Sequence, residues 1–299
     1  MLAAVLFARC AQAGEPVPPS EAAITVTGVK QDLEQVRREA AAFVRKTGVA
    51  SGQTPAARWI DPVCPKVIGL PGHLANRVET QLRDIAQGNG VPVARAKCRS
   101  NVVVVFTDDA RKLIGTIASR QPQSLAEVPV SARPALKTGP APVRWWYTTG
   151  VRSKDGVRAA TAPPPWFMGD GNNGGGSPIP MDGDTTTLVQ TGTSIVSTQT
   201  VRAFSSATVV IDVNLADGKT LDAVTDFAAL VAFAEIRPSP SPPDGTILAL
   251  FEPGGDLAGL TERDAAFLKA LYRLPLDRQA HQQRGRLVDD LVSARLADD

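Results

Sequence analysis

The segment between Thr220 and a cluster of prolines limits the fold most. Residues 221–236 read LDAVTDFAALVAFAEI, an almost unbroken apolar run. Thr220 is a good helix N-cap, because its hydroxyl can accept from a free backbone N–H of the first turn. Pro238, Pro240, Pro242 and Pro243 stop the helix, since proline lacks the N–H and its ring clashes with the preceding turn. The run is too short for a bilayer, which takes about 20 apolar residues. It is therefore expected to be a core helix, with Val224, Phe227, Ala228 and Val231 facing inward. No other segment is long enough to span a membrane, so no transmembrane helix is expected in the mature chain. With 299 residues, a sizeable core can form in one large domain or two.

The first half alternates strand and helix. Ile24–Gly28 reads as a short strand. Gln31–Lys46 reads as an amphipathic helix with Leu33, Val36, Ala40, Phe43 and Val44 on one face. Trp59–Pro65 is a proline-punctuated extended segment. His73–Gln87 is a second helix with Leu74, Val78, Leu82 and Ile85 as its stripe. Asn101–Phe106 is a continuous apolar run that predicts a central strand buried on both faces. Thr107–Asp109 then cap a helix over Ala110–Ser119. A small α/β layer over 22–135 follows from this order.

Residues 121–142 read as a proline-rich connection, and Arg144–Val151 as a strand. Ala160–Asp184 is rich in proline and glycine and reads as a flexible loop. Thr185–Ser206 suits one or two exposed strands, and Ala207–Val213 a further strand. Thr246–Phe251 is short and apolar. Thr261–Asp264 has the form of a capping box, opening a helix through Tyr272. Arg278–Leu296 is a polar helix with a narrow seam of Leu287, Leu291 and Leu296. The expected fold class is α+β.

The N-terminus points to export. Leu2–Ala8 is apolar, and Ala11-Gln12-Ala13 has the small-x-small pattern of a signal peptidase site, so residues 1–13 read as a signal peptide. No positively charged region precedes the apolar stretch. Cleavage removes Cys10 and leaves Cys64 and Cys98. In an oxidising compartment an even pair is expected to form a disulfide; two free core thiols are the alternative. The expected location is periplasmic or secreted.

Two sets of motifs carry a family resemblance. ITVTG (24–28), RWIDPVCPKVIGL (58–70) and CRSNVVVVFTDDA (98–110) resemble uncharacterised exported proteins of Gram-negative bacteria. Across residues 209–273, VVIDVNLADGKTLDAVTDFAALVAFAEI, DGTILALF and LTERDAAFLKALY resemble the C-terminal half of a zincin-type metalloprotease domain. This implies a zincin-like mixed strand and helix region over 143–299. A zincin carries HExxH on its helix, where two His one turn apart hold zinc and the Glu serves as base. Alignment places Asp226 at the first His, Phe227 at the Glu and Leu230 at the second His. Phe is no base and Leu no ligand, so the resemblance implies a degenerate domain. The chain's two histidines, His73 and His281, lie far from this helix in sequence.

Other chemistries fare no better. The 32 basic and 30 acidic residues argue against nucleic acid, which needs a concentrated basic surface. Gly169–Gly174 matches GxGxxG formally, but prolines precede it and glycines follow where a strand and a helix are required. Read as a calcium loop from Asp170, it places Met181 where a bidentate Glu belongs; Asp170, Asp182 and Asp184 leave weak ion binding open. No GxSxG is present. No cofactor is expected. A carboxylate pair among Asp61, Asp108, Asp109, Asp212 and Asp226 is the remaining catalytic option. Asp108-Asp109 follow a strand where α/β ligands bind, though capping is the plainer role. Trp145, Trp146 and Tyr147 alternate faces if their segment is a strand, so one ring can serve a protein, peptide or saccharide partner. The reading is an exported, non-catalytic binding protein of the cell envelope, with a hydrolase using a carboxylate site as the alternative. The exposure of Asp226–Leu230 decides whether a protease-derived cleft survives.

Overall fold

A computed structural model describes residues 32–153, 198 and 200–297. The signal peptide at 1–13, the strand at Ile24–Gly28 and the loop at 160–184 lie outside the described residues. In chain order the elements are α1 (Leu33–Thr47), β1 (Pro65–Ile68), α2 (Gly72–Gly88), β2 (Val102–Thr107), α3 (Ala110–Arg120) and α4 (Arg133–Thr138). Then come β3 (Val143–Ser153), β4 (Thr200–Asp212), α5 (Leu221–Phe233), α6 (Glu262–Arg273) and α7 (Ala280–Ala297). Helices and one mixed sheet make an α+β fold.

The sheet has the order β1-β2-β4-β3. β2 pairs in parallel with both β1 and β4, while β3 runs antiparallel to β4. Strands from both expected regions, 22–135 and 143–299, therefore share one sheet. Strand alternation splits the core. Val102, Val104, Phe106, Val209, Ile211 and Val143 face the large core with α2 and α5. Trp146 and Val210 face a smaller one under α3 and α4. The expectation that β2 is buried on both faces needs correction, since Val103 and Val105 are only half-buried. Two short helices cover that face incompletely.

Two further expectations change. Residues 121–142 are more than a connection: they hold a single 3₁₀ turn at Pro122–Leu125 and α4, which bury Leu125 and Leu136. Proline sits in the first turn of each, where its missing N–H costs nothing. The exposed strands expected up to Ser206, followed by a separate strand, are one strand from Thr200 to Asp212 over the described part. It bends at Ser205, where the pairing skips from Thr148↔Ser206 to Thr149↔Phe204. Arg202 is half-buried and paired, with Glu235 accepting from both its Nη atoms at 2.7 and 2.8 Å.

Each outer strand has a backbone N–H taken by a glutamate. Glu79 of α2 accepts from Val67 N at 2.9 Å on β1. Glu127 accepts from Thr149 N at 2.7 Å and from its hydroxyl at 2.8 Å on β3. Such caps blunt sheet edges against pairing with another chain. At the start of β1 the expected Cys64–Cys98 disulfide is present, with a sequence separation of 34. A loop of that size contributes about 3–4 kcal/mol by chain-entropy arithmetic.

α5 lies inside, with every residue from Ala223 to Phe233 buried except Asp226. Its start is capped by Thr220, whose Oγ1 accepts from Ala223 N at 3.2 Å. Its end poses a harder problem, because the last carbonyls of a buried helix meet no water. Aromatic side chains supply the donors. Trp59 Nε1 donates to Ala232 O at 2.9 Å, and the Tyr272 hydroxyl to Phe233 O at 2.9 Å. The Tyr147 hydroxyl lies 2.6 Å from Val231 O and 2.8 Å from Ala234 O, and accepts from Ile236 N at 3.2 Å. Trp145 Nε1 donates to Ile236 O at 2.8 Å. Burial pushes both tyrosine hydroxyls well above the ordinary phenol pKa, so both keep their protons.

Tyr147→Phe and Tyr272→Phe each keep the ring and strand a buried carbonyl. Each is expected to lower the unfolding free energy by about 1–3 kcal/mol in urea titration.

Candidate functional site

The α5 face carrying Asp226, Phe227 and Leu230 is closed. Asp226 is half-buried, and both its oxygens are occupied. Oδ1 accepts from Gln81 Nε2 of α2 at 2.6 Å, and Oδ2 from Leu260 N at 2.7 Å. A Cβ on Gly259 would sit 2.4 Å from Oδ2, so the approach requires glycine there. Asp226 thus clamps α2, α5 and the entry to α6 together. Phe227 packs edge-on against Trp145 at 5.8 Å and Phe251 at 5.3 Å. Leu230 is fully buried. The fold does bring one histidine toward this helix, against the expectation from sequence distance. His73, at the start of α2, shares a shallow polar depression with Asp222 of α5. Asp222 there pairs with Arg77 at 2.6 Å. His281 is exposed on α7. Among the described residues no three His, Cys, Asp or Glu side chains gather as a metal set.

Of the aromatic residues considered for binding, Trp145 and Tyr147 are half-buried and Trp146 is buried. Trp145 and Tyr147 use their polar tips at the end of α5, and Trp146 is buried in the smaller core. The strand does alternate them between faces, but both faces are covered.

Of the carboxylates considered for catalysis, those of Asp61, Asp109, Asp212 and Asp226 are engaged by the fold, and that of Asp108 is not. Asp61 forms a two-pronged pair with Arg152, which is itself buried. Asp109 caps α3 through Lys112 N at 2.9 Å. Asp212 accepts from Ala110 N at 3.1 Å and Leu215 N at 3.3 Å. Asp108 is exposed, and its carbonyl accepts from Asn214 Nδ2 at 2.9 Å. Buried Arg144 lies within the field of Asp212. Desolvation lowers its pKa and Asp212 partly restores it. The end of the sheet where α/β ligands bind is therefore tied up in capping α3.

A groove of about 450 Å³ lies between α1, α6 and α7. Val36, Phe43 and Leu291 form its buried apolar floor, with half-buried Ala40 and Ala266. Glu39, Glu262 and Arg295 stand exposed around it, and Arg263 is tied to Asp244 O at 2.9 Å. Leu33 and Leu296, the outermost residues of the two apolar stripes, remain 56% and 45% exposed. The volume falls within the range of small-ligand and peptide sites. No sequence motif marks this groove, because its walls come from opposite ends of the chain. The stripes on the first and last helices were the available signal, since each runs further than the core needs.

Beside the groove, the capping box of α6 is complete. The Thr261 hydroxyl accepts from Asp264 N at 3.2 Å, and Asp264 Oδ2 accepts from Thr261 N at 3.1 Å and Ile247 N at 2.8 Å. Asp264 Oδ1 is buried with no partner among the described residues. Burial raises the Asp264 pKa above 3.8 against these hydrogen bonds.

Comparison with known protein families, with characterised proteins and with solved structures finds no match to this chain.

Two outcomes are expected. Asp226→Ala should destabilise the fold by about 1–3 kcal/mol, by freeing Leu260 N and Gln81, and should speed amide exchange at Leu260. Asp264 should titrate above 3.8 when its carboxyl carbon is followed by NMR. A raised folded pKa means the native state holds the proton longer than the unfolded one. Its contribution to stability should therefore fall as pH rises from 3.8 through the folded value. A contribution that rises over that window would refute this.

Proposed function

We propose that this chain is an exported, non-catalytic binding protein of the cell envelope, and that the groove between α1, α6 and α7 takes a short peptide segment. The groove carries the reading: an apolar floor ringed by charges of both signs suits a side chain buried in the middle of an extended peptide. Export is supported by the signal-peptide pattern at residues 1–13 and by the Cys64–Cys98 disulfide, a bond that persists in oxidising compartments. No helix among the described residues is long and apolar enough to cross a membrane. The non-catalytic reading draws on the capping and clamping roles of Asp61, Asp109, Asp212 and Asp226. A degenerate metalloprotease-like origin for the C-terminal half belongs to the same proposal. Its support is the order of β4, α5 and α6 and the Thr261–Asp264 capping box.

One observation favours the hydrolase alternative: Glu39 and Glu262 line the same groove. One experiment tests both readings. A displayed library of random peptides is panned on the purified protein, with Ala266→Trp as a groove-filling counter-screen. Binding predicts enriched peptides with an apolar residue flanked by charges, recovered intact, whose affinity drops at least about tenfold in Ala266→Trp, the loss of roughly one well-packed side chain. Enrichment that ignores Ala266→Trp would remove the groove from the proposal. Peptides recovered cut, with cutting abolished in Glu39→Gln or Glu262→Gln, would establish the hydrolase instead.

A further inference from the structure

A second surface stands out by its charge. Between Asp84 and Asp108 the sequence contains no carboxylate, yet it carries Arg95, Lys97 and Arg99 in a chain whose total net charge is +2. All three side chains are exposed, together with Ala96 and Ser100. None has a hydrogen-bonding or ion-pair partner among the described residues. Elsewhere less exposed arginines are matched, as with buried Arg152 on Asp61 and half-buried Arg202 on Glu235. Like charges crowded in a short loop repel one another, so leaving them uncompensated is unfavourable unless an anion joins them.

The loop is also held in place. Cys98 is bonded to Cys64 at the start of β1. Ala94 N donates to Val63 O at 2.9 Å, and Arg83 Nη1 donates to Ala94 O at 2.9 Å. Asn101 closes the other side, accepting from Cys64 N at 2.7 Å and donating to Pro62 O at 3.1 Å. Lys97 has φ of 63°, a left-handed conformation that a lysine adopts only where its surroundings impose it. The cations therefore form a fixed patch at the amino ends of β1 and β2, not a loose tail.

We propose that this disulfide-held loop docks on an anionic bilayer through phosphate headgroups. Three cations would give a duplex only a weak grip, since affinity for DNA grows with the number of phosphates neutralised. A bilayer draws on each cation separately, about 1 kcal/mol per Lys or Arg near an anionic surface. A small fixed patch therefore gains affinity even below the roughly four to eight cations of a full lipid-binding cluster. The loop shares no residue with the groove, so the failure of either proposal leaves the other standing.

The purified protein is sedimented with vesicles of phosphatidylglycerol mixed into phosphatidylcholine, and with phosphatidylcholine alone, at low and high salt. Binding is expected to the anionic vesicles and to fade as salt rises. The combined Arg95→Gln, Lys97→Gln and Arg99→Gln variant should bind on the order of a hundredfold more weakly, since each cation near a bilayer contributes a several-fold factor. A charge-matched control, Lys137→Gln with Lys269→Gln and Arg273→Gln, removes exposed cations elsewhere and should keep most of the binding. An unchanged thermal midpoint in both variants excludes unfolding as the cause. The proposal fails if the control loses as much as the loop variant, because the effect is then net charge alone. It also fails if the loop variant still binds, or if a short DNA duplex shows the same loop dependence with tighter binding than the vesicles.

Discussion

The fold depends on how the buried end of α5 is satisfied. A helix this apolar belongs in the interior, and there its last carbonyls have no water to turn to. A buried carbonyl without a donor costs about 1–3 kcal/mol, and several at once would approach the whole net stability of a domain. Trp59, Trp145, Tyr147 and Tyr272 answer this need from the segment before β1, from β3 and from α6. Each ring fills core volume while its polar tip closes one carbonyl. The rings also meet each other: Phe204 lies 5.3 Å from Trp59 and 5.1 Å from Tyr147. Elements distant in sequence are thereby fastened to a single helix end.

The same arrangement leaves no open cleft along α5. An active-site helix must leave one face open to substrate. Here that face is closed at its amino end by the Asp226 clamp and further on by Phe227 against Trp145 and Phe251. Opening it would expose the core and unpair Leu260 N.

Much of the framework was legible from local chemistry. The α5 cap at Thr220, the α3 cap at Asp109, the Thr261–Asp264 box and the cysteine pair each follow from neighbouring residues or from parity. What escaped depends on distant partners. Trp145 and Tyr147 looked like binding residues because an aromatic side chain does not reveal whether its polar tip meets a ligand or a backbone carbonyl. The polar composition of 185–206 made the start of β4 look exposed, and nothing local signals that Arg202 pairs with Glu235. The groove joins residues near 40, 266 and 291, a juxtaposition that no local period encodes.

Fold and function compete for the same polar atoms. An oxygen that caps a helix or clamps a loop cannot also bind substrate without leaving a backbone group unpaired. By that criterion Asp61, Asp109, Asp212, Asp226 and Asp264 belong to the structure, as do the aromatic tips around α5. Glu262 and Arg295 at the groove, and Arg95, Lys97 and Arg99 on the disulfide loop, lack such duties among the described residues. Exposed charge without a partner is ordinary when scattered. Set beside an apolar floor, or gathered on a loop fixed by a disulfide, it is arranged charge that the described fold does not use, and both proposals rest on that arrangement. Function here is therefore sought on surfaces assembled around the core, because the core's own polar groups are already committed.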